Sequence, residues 1–147
     1  MKNEETVHHR INERLNAYWD TLRGSRAMPA EGDVSIEELK DIWQNCFLVS
    51  VRDGKFSYSY LGEQLVEAYG DDLTGKEITE TLLYPHPSSL VKTFAEVAKT
   101  GTPKIDENQF VNSRNSTVKY RSCVLPLSGA DKNSVAFLLG GMKWKAF

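Results

Sequence analysis

Tyr60-Leu61-Gly62-Glu63-Gln64-Leu65-Val66-Glu67-Ala68-Tyr69-Gly70-Asp71-Asp72-Leu73-Thr74-Gly75-Lys76 is the stretch that decides the fold. Just upstream, Asp53-Gly54 is a strong two-residue hairpin turn between strand-like runs at about 46–52 and 55–61. The second run alternates Phe56, Tyr58 and Tyr60 with Ser57 and Ser59, an aromatic face against a small polar one. It stops at Gly62, and a short helical pattern over 63–69 stops at Gly70. Leu73-Thr74-Gly75 then turns the chain toward another short helical piece at about 77–82. A strand, a short helix and two glycine stops make a compact cap over a sheet, the layout of a sensing pocket.

Gly70, Gly75 and Lys76 also have the spacing of a phosphate-binding loop. That loop needs Ser or Thr after its lysine to ligate Mg²⁺, and here Glu77 follows. Asp71 and Asp72 would repel phosphate, and Gly70 closes a helical pattern instead of following a strand. The glycines therefore read as a helix stop and a turn.

Upstream, residues 4–23 form an amphipathic helix with Val7, Ile11, Leu15, Tyr18 and Leu22 at spacings of three and four, widened by Trp19. Gly24 ends it, and 24–34 is a polar linker. Ser35-Ile36-Glu37-Glu38 reads as a capping box for a helix over about 36–44. Downstream, Pro85-His86-Pro87 breaks the chain before a helix carrying Leu90, Val91, Phe94, Val97 and Ala98, closed by Gly101. Three strands follow at about 104–111, 116–126 and 134–143. The class is α+β: a five-stranded antiparallel sheet, helices over one face, and an N-terminal amphipathic helix. We divide it as 1–34, helix and linker, and 35–147, the sensory domain.

A chain of 147 residues can bury a full core without disulfides. Its net charge of −2 argues against nucleic acid as the main partner. No apolar run spans a bilayer, and 1–10 lacks the apolar core of a signal peptide. A cytoplasmic location is expected. Cys46 and Cys123 lie in apolar runs and read as core residues.

The chain resembles PAS domains, in particular small single-domain bacterial PAS-like proteins. The resemblance rests on Tyr18-Trp19-Asp20-Thr21-Leu22-Arg23-Gly24-Ser25-Arg26-Ala27-Met28-Pro29, then Asp33 and Phe47-Leu48-Val49-Ser50-Val51. It continues through Leu61-Gly62-Glu63, Tyr69-Gly70, Leu73-Thr74-Gly75 and Leu125-Pro126-Leu127. Ala30-Glu31 departs from the basic residue expected after Pro29. The resemblance implies a sensory or regulatory module and names no ligand.

The site readings follow. A flavin photosensor of this type needs a cysteine in an Asn-Cys-Arg context, which neither Cys46 nor Cys123 has. His86 reads as a helix-cap or loop residue instead of a haem ligand, and His8-His9 point about 100° apart on a helix and chelate poorly. No metal site or cofactor is required. Lys119 and Arg121 share a strand face with Thr117 and Cys123 and are expected to face solvent. No catalytic signature is present, and Asp106 and Glu107 read as surface acids, so no enzyme is expected. The pocket candidates are Tyr60, Leu65, Tyr69, Leu82, Tyr84, Phe94, Tyr120, Phe137 and Leu139. The interface candidates are Ile11, Leu15, Tyr18, Trp19 and Leu22. Their stripe fits either a helix folded over its own sheet or one that pairs with a second copy or a signalling partner. The expected output is protein contact, with a homodimer or a signalling partner; the alternatives are a buried small ligand and, third, a small enzyme.

Overall fold

Two backbone positions set up the first hairpin. Asp53 (φ 53°) and Gly54 (φ 74°) both lie in the left-handed region, the geometry of a turn whose twist matches its flanking strands. They join β1 (Cys46–Arg52) to β2 (Lys55–Leu61), with Arg52 opposite Lys55. The structure, a computed structural model, describes residues 11–79, 88–131 and 133–147. Within them α1 is Ile11–Arg23, α2 is Glu63–Tyr69 and α3 is Ser88–Thr100. The later strands are β3 (Glu77–Ile78), β4 (Lys104–Val111), β5 (Thr117–Ser128) and β6 (Val135–Ala146). The sheet is antiparallel, in the order β3-β2-β1-β6-β5-β4.

Six strands thus replace the expected five. The addition is β3, which pairs with Phe56 and Ser57 of β2 where the spacing predicted a short helix. The last two strands also run further than expected, to Ser128 and Ala146.

The expected helix over 36–44 is replaced by two single 3₁₀ turns, Glu37–Leu39 and Trp43–Asn45. The reason is a competing donor. Arg14 donates to the Glu38 carbonyl at 2.6 Å and grips Asp41 through two bonds of 2.8 and 2.6 Å. The Ile42 N–H, which an α-helix would send to Glu38, bonds Leu39 at 2.9 Å instead. Ser35 offers no side-chain cap.

Helices cover both faces of the sheet, not one, because β5 is apolar on both sides. Val118, Tyr120 and Val124 belong to an inner core with α2 and α3, while Cys123, Leu125 and Leu127 belong to an outer core beneath α1. Ile11, Leu15 and Trp19 fill that outer core with Leu39, Ile42, Cys46 and Leu139. The Trp19 indole donates to the Pro126 carbonyl at 2.7 Å. Gly141 lets α1 approach: a Cβ there would stand 3.1 Å from Ile11 Cγ2 and 3.2 Å from Leu15 Cδ2. The linker is tied down too, since Ser128 donates its N–H to the Pro29 carbonyl at 2.9 Å.

Candidate functional sites on the two faces of the sheet

The inner site is built by the glycine-punctuated stretch. Gly62 starts α2, and Gly70 (φ 80°) ends it, donating its N–H to Val66 at 2.8 Å. Gly75 (φ 82°) donates to the Tyr58 carbonyl at 2.8 Å and ties the turn to β2. Both glycines therefore do what the sequence reading assigned them, and no phosphate loop forms.

Under this cap lies a chain of rings in contact: Phe56, Phe94, Phe47, Tyr58, Tyr69, Phe110 and Tyr120, with successive centroids 5.3 to 6.4 Å apart. Gly140 is required here, because a Cβ would lie 2.0 Å from the Phe47 ring. The hydroxyls of Tyr58 and Tyr69 meet at 3.2 Å, and burial pushes both phenols well above their ordinary range.

A polar chain lies where α3 begins. Tyr120 donates to Asp106 at 2.5 Å, its oxygen is 3.3 Å from the Ser89 hydroxyl, and Asn108 donates to Ser89 at 2.8 Å. Burial first, then the bond to Asp106, raises the Tyr120 phenol, so it is a donor and not a base at neutral pH. Ser122, opposite Asp106 in the ladder, has a fully buried hydroxyl without a hydrogen-bond partner.

The outer site is a groove of about 670 Å³ between α1 and the β4-β5-β6 end of the sheet. Asn12, Glu13 and Asn16 of α1 form one wall, and Pro103, Lys104 and Ile105 at the start of β4 form the other. Its floor is apolar toward Cys123 and Leu125 and charged toward Lys119, Arg121, Lys143 and Lys145. Among the described residues that line it, five cations stand with two carboxylates, Glu13 and Glu107. Arg121 meets Glu107 at 3.1 Å, and Lys104 pairs with Glu96. Lys119 and Lys145 flank the exposed Phe147 ring, 4.8 and 5.7 Å from its centroid.

A family model described as a PAS domain matches residues 7–143. The chain belongs to the PAS domain family. Solved structures with the same fold include a Light-Oxygen-Voltage domain studied with a flavin analogue (TM-score 0.59, 13% identity), covering 75% of this chain and 83% of that one. The blue-light photoreceptor Aureochrome1 LOV in its dark state gives a TM-score of 0.55 at 14% identity, covering 76% and 81%. The LOV protein of Rhodobacter sphaeroides gives 0.53 at 10%, covering 78% and 69%. At these identities the likeness is one of fold. No curated protein matches the chain.

In this PAS domain the pocket candidates divide. Leu65, Tyr69, Phe94 and Tyr120 do meet in the inner core. Leu82 and Tyr84 lie outside the described residues, as do His86, His8 and His9. Leu139 and Phe137 are corrected to the outer core, because they sit one residue out of phase with Leu138 and Gly140 on β6. Tyr60 is corrected too. An irregularity between Leu48 and Val49, where Val49 pairs with Tyr58 and Leu48 with Tyr60, adds Ser59 and turns Tyr60 outward. There Tyr60 stacks on Trp43 at 4.5 Å and donates to its carbonyl at 3.0 Å.

Of the interface candidates, Ile11, Leu15 and Trp19 are buried within the chain itself, while Tyr18 and Leu22 are half-buried. The Tyr18 hydroxyl accepts from the Ser35 N–H at 2.8 Å. Cys46 and Cys123 lie in the outer core, where burial pushes both thiols up, Cys123 to about 12. Lys119 and Arg121 are solvent-facing as expected. Among the described residues, no three His, Cys, Asp or Glu side chains gather as metal ligands, and no helix is long and apolar enough to cross a membrane. Sequence reasoning missed Lys143 and Lys145. Lys143 already closed the expected strand over 134–143, and continuing that strand to Ala146 adds Lys145, so the two alternate with Met142 and Trp144 and fall beside Arg121 and Lys119.

Proposed function

We propose that this PAS domain is a cytoplasmic regulatory module, not an enzyme, whose output is a protein contact made on the outer face of its sheet. One observation carries the reading: among the described residues the inner face packs aromatic rings against one another, whereas the outer face carries a partly apolar groove beside α1. A groove with an apolar floor and a charged rim has the composition of a recognition surface. The occupant is a signalling protein, with a second copy of this chain as the competing outcome. Affinity capture with the intact chain tests it, beside Ile105→Asp in the groove wall and Glu77→Arg on the far edge of the sheet. Ile105 is 49% exposed, so the change leaves the fold intact. A partner or second copy lost with Ile105→Asp and kept with Glu77→Arg supports the reading; identical capture by all three baits overturns it.

Ser122 favours a second reading. Its unpartnered hydroxyl beside the Tyr120–Asp106–Ser89 chain suits a small polar ligand between α3 and the sheet. Native mass spectrometry separates the two, because a ligand adds mass that disappears on denaturation and a bare polypeptide mass removes this reading.

A further inference from the structure

The two edges of the sheet are unlike. Among the described residues one edge is β3, two residues long, and the other is β4, with eight. Asn112 donates its N–H to the Ser116 carbonyl at 2.9 Å, and the register of β4 against β5 is unbroken from Lys104 to Val111. Backbone groups alternate in direction along an antiparallel strand, so Ile105, Glu107, Gln109 and Val111 aim theirs away from β5. Among the described residues no strand meets that edge, and its Gln109 N–H turns to the neighbouring Asn108 side-chain oxygen at 2.8 Å. Open edges are commonly guarded by charge. Here the charges of β4 are engaged inside the fold: Lys104 with Glu96, Asp106 with the Tyr120 hydroxyl, and Glu107 with Arg121. Toward its two ends the edge exposes apolar side chains, Ile105 at 49% and Val111 at 51%.

We propose that β4 pairs antiparallel with β4 of a second copy of this chain, about a twofold axis through Asn108. Direction and charge select this register. Residues that exchange bonds across the new ladder must both come from the outward set. With the axis at Asn108, Ile105 faces Val111 and Glu107 faces Gln109, each pair occurring twice. Apolar meets apolar, and the carboxylate meets a neutral amide. With the axis at Glu107, that carboxylate would face its own copy, and Val111 would face Pro103, which has no N–H to give. With the axis at Gln109, Glu107 would face Val111, and Ile105 would face Ser113, beyond the end of the strand. Only the axis at Asn108 lets all four outward residues exchange bonds. It stands perpendicular to the sheet, so the outer faces of both copies lie on one side of a continuous sheet. This pairing is separate from the occupancy of the outer groove and goes beyond it.

The test is sedimentation velocity of the intact chain across a dilution series, and a dimer that dissociates on dilution is expected. A proline in place of Gln109 removes an outward N–H and leaves the ladder to β5 whole. Gln109→Pro should therefore stay folded by circular dichroism and weaken the dimer by about tenfold or more. Asn108→Cys reads the register directly. The two residues at that position face each other as a non-hydrogen-bonded pair with Cα atoms about 4.5 Å apart, within reach of a disulfide. Oxidised glutathione should cross-link Asn108→Cys and leave Val111→Cys, which faces Ile105, uncross-linked. Cys46 and Cys123 are buried and do not compete. If Gln109→Pro does not fold, the two cysteine variants decide alone. A monomer at every concentration, a dimer untouched by a folded Gln109→Pro, or equal cross-linking of the two cysteine variants overturns the proposal. Gln109 does not line the groove, so Gln109→Pro leaves capture of a signalling protein there unchanged, and the two readings fail separately.

Discussion

A helix whose apolar stripe served only pairing would leave Leu15→Asp a folded monomer. Here Leu15 is fully buried over Gly141, so the contact between them is the place to test how α1 is used. Leu15→Ala removes buried carbons whose loss, with the cavity left behind, costs about 2–5 kcal/mol. That is a large part of the roughly 5–15 kcal/mol that holds a domain folded. Gly141→Ala adds a methyl 3.2 Å from Leu15 Cδ2 and 3.1 Å from Ile11 Cγ2, close enough that the helix must shift by a few tenths of an ångström. Overpacking of this kind costs about 1–3 kcal/mol. Combined, the new methyl occupies part of the space that Leu15 vacates, so the double variant is expected to lose less than the sum of the singles by roughly 0.5–3 kcal/mol. Urea unfolding followed by circular dichroism measures all three. A Leu15→Ala cost under about 1 kcal/mol, with additive singles, would refute the packing of α1 on its own sheet.

Three further outcomes are expected. Removing one cation from a like-charge rung relieves strain, so Lys145→Gln, opposite Lys119, should raise the melting temperature by roughly 1–3 °C in scanning calorimetry; a fall would show that Lys145 stabilises the fold. Arg14 hydrogen-bonds Asp41 and holds its carboxyl below the usual range. The ionised pair therefore stabilises fully above about pH 4, and that stability is lost as pH falls through the lowered folded value. The pair is half-exposed, so Asp41→Asn should flatten the acid limb of a stability–pH curve by under about 1 kcal/mol, and an unchanged curve would rule the linkage out. Cys46 and Cys123, buried and with raised thiol pKa values, should react with a thiol reagent only on unfolding; labelling of the native protein within minutes would contradict the outer core.

Local signals carried most of the fold. Asp53-Gly54 needs φ > 0 at both positions, and Gly70 stops a helix wherever it sits, so the hairpin and α2 were legible from a few residues. The rest depended on partners distant in sequence. The stripe Ile11, Leu15 and Trp19 is the same whether a helix covers its own sheet or another chain; Gly141 and the Pro126 carbonyl decide, and they lie more than a hundred residues away. Tyr60 left the aromatic face because of one irregular step against β1. The helix expected over 36–44 gave way to 3₁₀ turns because Arg14 claimed the Glu38 carbonyl. The facing of Lys119 with Lys145 and of Arg121 with Lys143 needed the register of β5 against β6, which no alternation pattern contains.

The outer face changes character along both long strands. Beneath Ile11, Leu15 and Trp19 the outward residues of β5 are Cys123, Leu125 and Leu127; further along they are Arg121 and Lys119, and β6 makes the same change from Gly141 to Lys143. The boundary falls at Asn12, which donates to the Arg121 carbonyl at 3.2 Å and keeps a buried oxygen unpartnered beside it. Apolar floor, polar wall and the charged ends of both strands therefore meet at Asn12, so a change at Asn12 bears on the outer core and on the groove together.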